Sequence, residues 1–168
     1  MTTNYKRTKE WLDLAFDNIK TLISNYKISE YSTCVYKIQL SIEQLQKALL
    51  YLFGLHFRKT HEPSKILRTL SNNNNIQIEE ENIKQIKNIV ALAEIIESEG
   101  TATRYGIIRG DKLISPNELY NRAKTDEFLK NLKELLSILI ELFKENPDFK
   151  VELTTFSEFI IKIEELEK

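Results

Sequence analysis

Apolar residues recur at steps of three and four through long intervals that hold neither glycine nor proline, and this pattern commits the chain to helices. The four Gly and three Pro stand at Gly54, Pro63, Gly100, Gly106, Gly110, Pro116 and Pro147. Gly ends helices and Pro is tolerated only in a first turn, so the intervals 1–53, 64–99, 117–146 and 148–168 are free to be helical. From Thr8 to Tyr26 the residues Trp11, Ala15, Ile19, Leu22 and Tyr26 draw one stripe, with Thr8 as the expected N-cap. From about Ser29 to Phe53 the stripe is Val35, Ile38, Ile42, Leu45, Leu49 and Leu52, stopped by Gly54 as a left-handed C′ residue. A short helix is expected from Pro63 to about Leu70, broken by the run Asn72 to Asn75. Glu79 to Ser98 carries Ile83, Ile86, Val90 and Ala93, and Gly100 closes it. The period returns at Thr125, read as an N-cap, with Phe128, Leu132, Leu135, Leu139 and Leu142. A last helix is expected from Thr154 or Thr155 to Leu166, with Phe156, Ile160 and Ile163.

Four long helices with one apolar stripe each must bury those stripes against one another. The expected fold is therefore all-α, an antiparallel up-and-down four-helix bundle with a short capping helix and an extra C-terminal helix that packs outside or on a partner. Residues 1–146 make the bundle and 147–168 a helical extension of the same domain. No strand pair is expected, although Phe149 to Leu153 alternates. The segment from Gly100 to about Lys124 has no sustained period and is too long for an ordinary connection, so it reads as functional or partly structured.

Composition removes several classes of function. With 24 Lys and Arg against 25 Asp and Glu, the net charge of -1 leaves no global basic field to gather nucleic acid or anionic lipid. The single Cys34 excludes a disulfide framework. Met1 to Glu10 lacks the apolar core of a signal peptide and no stretch approaches the roughly 20 apolar residues of a membrane span, which predicts a soluble cytoplasmic protein with no membrane partner. The only histidines, His56 and His61, with one Cys on another element make a poor zinc set. No metal and no cofactor is expected, and no phosphate loop, His-Glu-x-x-His or nucleophile elbow is present.

Glu43 and Lys47 stand one helical turn apart, which reads as a surface pair worth a few tenths of a kcal/mol. With Gln39, Ser41 and Gln46 they make the middle of the second helix polar on the side away from its stripe, which suggests a groove or an interface.

The run Tyr31 to Leu50, with Gln39, Glu43 and Lys47-Ala48-Leu49, resembles the second helix of the HEPN (higher eukaryote and prokaryote nucleotide-binding) domain family. Trp11-Leu12 followed by Ala15 and Asp17 resembles that family's opening helix, Thr60-His61 its Thr-His turn, and Thr103-Arg104-Tyr105 its Thr-Arg-Tyr segment. The motifs fall in the family's order across residues 9–144. The resemblance implies a dimerising bundle, either a metal-independent ribonuclease or a non-catalytic partner of a small nucleotidyltransferase. The ribonuclease branch carries an Arg, four to six residues and a His. Here the arginines are Arg7, Arg58, Arg68, Arg104, Arg109 and Arg122, and none precedes His56 or His61 by that spacing.

The leading expectation is thus a non-catalytic homodimeric module that binds a nucleotidyltransferase and a nucleotide or RNA, with Gln39, Glu43, Lys47, Arg104, Tyr105 and Arg109 as its candidate binding residues. Arg104, Tyr105, Arg109 and Lys112 could contact phosphate through guanidinium forks in a loop opened by glycine. On a structural reading Arg104 instead pairs with Glu43 or Asp17 and Tyr105 packs in the core. The rivals are a ribonuclease using Arg104, Tyr105 and Glu43, and an architectural helical subunit.

Overall fold

The computed structural model describes residues 3–55, 57, 59–72 and 78–168; His56, Arg58 and Asn73 to Asn75 lie outside these. Two long helices, α1 (Thr3–Lys27) and α2 (Tyr31–Leu52), form an antiparallel hairpin. Ser29 turns the chain between them with φ 63°, while the amide N–H groups of Ser29 and Glu30 donate to the carbonyls of Tyr26 and Asn25, each at 3.0 Å. Gly54, φ 71°, ends α2 in the expected left-handed conformation, and the Leu55 N–H donates to the Leu50 carbonyl at 2.8 Å. A short helix α3 (Ser64–Leu67) runs into a 3-10 turn at Arg68–Asn72, and α4 (Glu80–Glu97) follows.

Between the last two bundle helices lie one-turn α5 (Ala102–Tyr105), strands β1 (Ile107–Arg109) and β2 (Lys112–Ile114), and one-turn α6 (Pro116–Leu119). Helix α7 (Arg122–Phe143) completes the bundle, and α8 (Lys150–Leu166) lies antiparallel to α7 and against α1. Among the described residues no helix is long and apolar enough to cross a membrane.

The predicted stripes meet in one core. Ile19, Leu22, Ile38, Ile42, Leu45, Ile86, Ala93, Leu132, Leu135 and Leu139 are buried there, and each large side chain contributes roughly 2 kcal/mol of apolar transfer. Helix α8 belongs to this core through Phe156, Phe159 and Ile163, with Phe16 of α1 meeting Phe156 edge-on at 5.4 Å.

The helix starts differ from expectation for one physical reason: a hydroxyl one turn inside a helix bonds back to a carbonyl as readily as it caps. Thr8 is not an N-cap. α1 begins at Thr3, and the buried Thr8 hydroxyl donates to the carbonyls of Asn4 (2.9 Å) and Ala48 (3.4 Å). Thr125 likewise donates to the Asn121 carbonyl at 2.8 Å, while the Asn121 side chain accepts from the Lys124 N–H and is the true N-cap of α7. The C-terminal helix starts at Lys150 rather than at Thr154 or Thr155, because Asn146 caps a 3-10 turn, Pro147–Phe149, that leads straight into it. The alternation of Phe149 to Leu153 is therefore helical.

A strand pair does exist, contrary to expectation. β1 and β2 pair antiparallel with Ile107 opposite Ile114 and Arg109 opposite Lys112, joined by the two-residue loop Gly110-Asp111 with Gly110 at φ 59°. Gly106 enters the hairpin at φ 74°, where a Cβ would lie 2.0 Å from the Ile114 carbonyl oxygen, so only glycine fits. After the hairpin, the Glu118 carboxylate accepts from the Ser115 N–H at 2.9 Å, and this backbone donor, with Lys112 next, stabilises the charged form and holds its pKa down at about 2.

The polar flank of α2 is also not what its spacing suggests. Ser41 and Gln46 are fully buried, Ser41 donating to the Lys37 carbonyl at 2.8 Å. Lys47, only 6% exposed, sits 2.5 Å from Glu43 with its ammonium 4.9 Å from the centre of the Trp11 ring. The pair is thus a buried tie between α1 and α2 rather than a surface ornament, because the indole covers what an isolated helix would leave open. Lys47→Ala should lower unfolding stability by about 2 kcal/mol, since it removes the counter-charge from a largely covered carboxylate, while Lys47→Ala paired with Glu43→Gln should recover part of the loss; urea denaturation measures both.

Tyr26 and Cys34 make stability sensitive to alkali. Burial, then the hydrogen bond to Asp126 at 2.5 Å, pushes the Tyr26 phenol up to about 12, and burial pushes the Cys34 thiol up to about 12. Both groups are held in their protonated forms by folding, so their contribution is complete below their unfolded values of about 9 and 10 and drains away as pH rises toward 12. Urea midpoints should stay level up to about pH 9 and fall beyond it, and the fall should be shallower in Cys34→Ala.

Candidate functional site

Tyr36, Gln39, Leu40 and Glu43 follow one another at helical spacing on α2, so their side chains form a single row along one face. Facing that row are His61 and Glu62 just before α3, Glu97 at the end of α4, and Gly100, Thr101 and Arg104 on the segment that follows. Together they line a cleft of about 260 Å³.

Gln39 holds the far wall in place. Its amide donates to the Gly100 carbonyl at 2.9 Å and its carbonyl oxygen accepts from the Thr103 hydroxyl at 2.5 Å, so both ends of the side chain are spent on fastening α5 to α2. Glu97 anchors the base: its carboxylate accepts from the Gln46 amide at 2.8 Å and from the Ser64 hydroxyl, joining α2, α3 and α4.

Two groups keep chemical capacity at the mouth. The Nδ1 of His61 stands 3.4 Å from Glu43 Oε2, with the ring largely exposed. Glu43 in turn is held by Lys47 beneath it. An imidazole backed in this way presents Nε2 outward and can pass a proton or accept a hydrogen bond. Arg104 is exposed and forms no ion pair among the described residues; its guanidinium lies 5.9 Å from the Tyr36 ring centre and 5.6 Å from that of Tyr105. The expected pairing of Arg104 with Glu43 or Asp17 is absent, because Glu43 is taken by Lys47 and Asp17 bonds Lys20 on the surface at 3.2 Å. Nor does Tyr105 pack in the core, being 68% exposed. Charge near the cleft is mostly cancelled in pairs, Glu43 with Lys47 and Glu62 with Lys65 at 2.6 Å, so Arg104 stands as the anion-accepting group.

On the other side of Arg104 a second hollow of about 480 Å³ opens, sharing Tyr36 and Arg104 with the first and bounded by Ser32, Thr33, Tyr105 and Asn117. Of the residues singled out by sequence, the fold brings Gln39, Glu43 and Arg104 into one cleft and puts Tyr105 in the adjoining hollow. Lys47 lies beneath the floor, and Arg109, at the hairpin turn, lines neither. In the sequence His61 stands out only in the Thr-His turn and as a poor metal ligand, not among the candidate binding residues, and Tyr36 and Glu97 are left aside. Tyr36 carried a signal, since it falls on the same row as Gln39 and Glu43; that His61 and Glu97 reach that row is decided only by the folded chain. Among the described residues no group of three or more His, Cys, Asp and Glu side chains could hold a metal ion.

The HEPN domain model matches residues 8–145. A protein of Methanocaldococcus jannaschii named "Putative toxin MJ1304" is 26% identical over 147 residues, which cover 88% of this chain and 95% of that protein. No solved structure matches the chain. Helix α8 falls beyond the matched residues, whereas the cleft lies wholly within them. With a helical bundle in place and the family's pattern running through all four of its long helices, the chain belongs to the HEPN domain family.

Proposed function

We propose that this HEPN protein is a non-catalytic binding module, working as a homodimer alongside a small nucleotidyltransferase, and that its cleft takes the phosphate of a nucleotide or an RNA. The observation that carries the reading is Arg104: an exposed guanidinium without an ion-pair partner among the described residues, placed by the Gln39 clamp at the mouth of a polar cleft. The missing Arg-x(4–6)-His spacing supports the absence of catalysis.

One observation favours a second reading, a metal-independent ribonuclease. The fold puts His61, backed by Glu43, on the same cleft as Arg104, although the two lie far apart in sequence. Such a set could shuttle a proton as a 2′-hydroxyl attacks while the guanidinium stabilises the charged phosphate.

Both readings meet in one experiment. The purified chain is sized by native mass spectrometry, then titrated with ATP and with a fluorescent single-stranded RNA, and the RNA is run on a gel. The expected result is a dimer that binds without cleaving and loses about tenfold or more in affinity in Arg104→Ala, the scale of a charge-assisted hydrogen bond. Cleavage that vanishes in His61→Ala would replace the binding module by the ribonuclease. A monomer that binds neither probe would overturn the proposal.

A further inference from the structure

Tyr105 is a large aromatic side chain left 68% exposed at the end of a one-turn helix that is otherwise firmly held. Its position is set from both sides. Upstream, Gln39 bonds Gly100 and Thr103. Downstream, Gly106 turns at φ 74° with its α-carbon packed against the Ile114 carbonyl, so closely that a Cβ would lie 2.0 Å from that oxygen. An aromatic ring that is held in place yet kept out of the core is spent on something other than stability.

Its neighbours say what it can receive. The Arg104 guanidinium lies over both the Tyr105 and the Tyr36 rings, at 5.6 and 5.9 Å, and Arg104 and Tyr36 form the wall shared by the two hollows. Across the second hollow, which is shallow and open, the Ser32 hydroxyl donates to the Asn117 side-chain oxygen, so two of its lining residues tie α2 to α6. A cation flanked by a recess on each side, one of them edged by an exposed aromatic ring, matches a phosphodiester with a nucleoside on either side of it.

We infer that Tyr105 and Tyr36 form a nucleobase-stacking subsite beside Arg104, so that the ligand of this cleft is single-stranded RNA of at least two nucleotides rather than a free nucleotide. This rests on the reading above that the cleft binds a phosphate of a nucleotide or RNA, and it adds the class of ligand and a specificity-determining residue. The phosphodiester lies on Arg104, one base stacks on Tyr105 in the second hollow, and the neighbouring ribose enters the first, where Glu43 and His61 can hydrogen-bond its 2′-hydroxyl.

The test is fluorescence anisotropy with the full chain, using AMP as competitor and labelled oligoadenylates of two, four and eight nucleotides as ribo- and deoxyribo-forms. Tyr105→Ala should weaken tetranucleotide binding by about 5- to 100-fold, the range of one base–aromatic stack, whereas Tyr105→Phe should bind within about twofold of wild type because stacking needs the ring and not the hydroxyl. Ile108→Ser, a change at a still more exposed side chain on the adjacent hairpin outside both hollows, should bind as wild type. The inference is overturned if Tyr105→Ala binds like wild type, if AMP competes as well as the tetranucleotide, or if the deoxyribo-forms bind better than the ribo-forms. In any of those cases, loss of binding in Arg104→Ala would leave phosphate capture standing. If no probe binds at all, both readings fall.

Discussion

The candidate cleft depends on a lysine that is not in it. Lys47 is buried against the Trp11 indole with its ammonium 2.5 Å from Glu43, so the carboxylate on this mostly covered helix face has a counter-charge in contact. Taking a charge out of water is costly unless a counter-charge and further polar contacts meet it; here the counter-charge comes from the next turn of α2, and the Trp11 ring of α1 covers the ammonium. Because Glu43 is anchored from below, its second oxygen is free to face His61 on the opposite wall. The same interaction serves the packing of two helices and sets the carboxylate that faces His61 across the cleft.

The opposite wall is held by a different device. Residues 100–121 contain little that could bury itself, yet they are neither long nor loose in effect, because each turn is pinned: Gln39 takes Gly100 and Thr103, Gly106 admits the Ile114 carbonyl, Glu118 closes the turn at Ser115, and Tyr120 donates to Glu99 at 2.9 Å. Hydrogen bonds to charged and backbone partners do here what apolar stripes do in the bundle. The result is a rigid ledge whose exposed groups, Arg104 and Tyr105, are positioned without entering the core. A ledge of that kind suits recognition, since the groups that meet a ligand lose little freedom on binding.

Much of the helical frame could be read directly. The steps of three and four in Val35, Ile38, Ile42, Leu45 and Leu49 are a property of the chain, and any fold that buries them must pair that face with another. Gly54 likewise announced its left-handed turn. The helix starts were less legible, because Thr8 and Thr125 can bond a carbonyl one turn back as easily as an orphan N–H, and local chemistry alone does not choose. The hairpin was written in Ile107-Ile108-Arg109, Gly110-Asp111 and Lys112-Leu113-Ile114, yet three-residue strands are too short for alternation to stand out against a helical background.

At the site the division is sharper. The row Tyr36, Gln39, Glu43 follows from helical geometry, and the motif order that marks a HEPN domain is likewise in the chain. Sequence could not say that Lys47 is buried, that Arg104 forms no ion pair among the described residues, or that Tyr105 faces outward. The burial of Lys47 depends on Trp11 arriving from another helix, and the outward path of Tyr105 on the Ile114 carbonyl meeting Gly106, while Arg104 finds Glu43 already held by Lys47 from the same helix as Glu43. Periodicity and the i,i+4 pair are set by the covalent chain and travel with it, whereas burial depends on distant residues, and only the tertiary structure decides it.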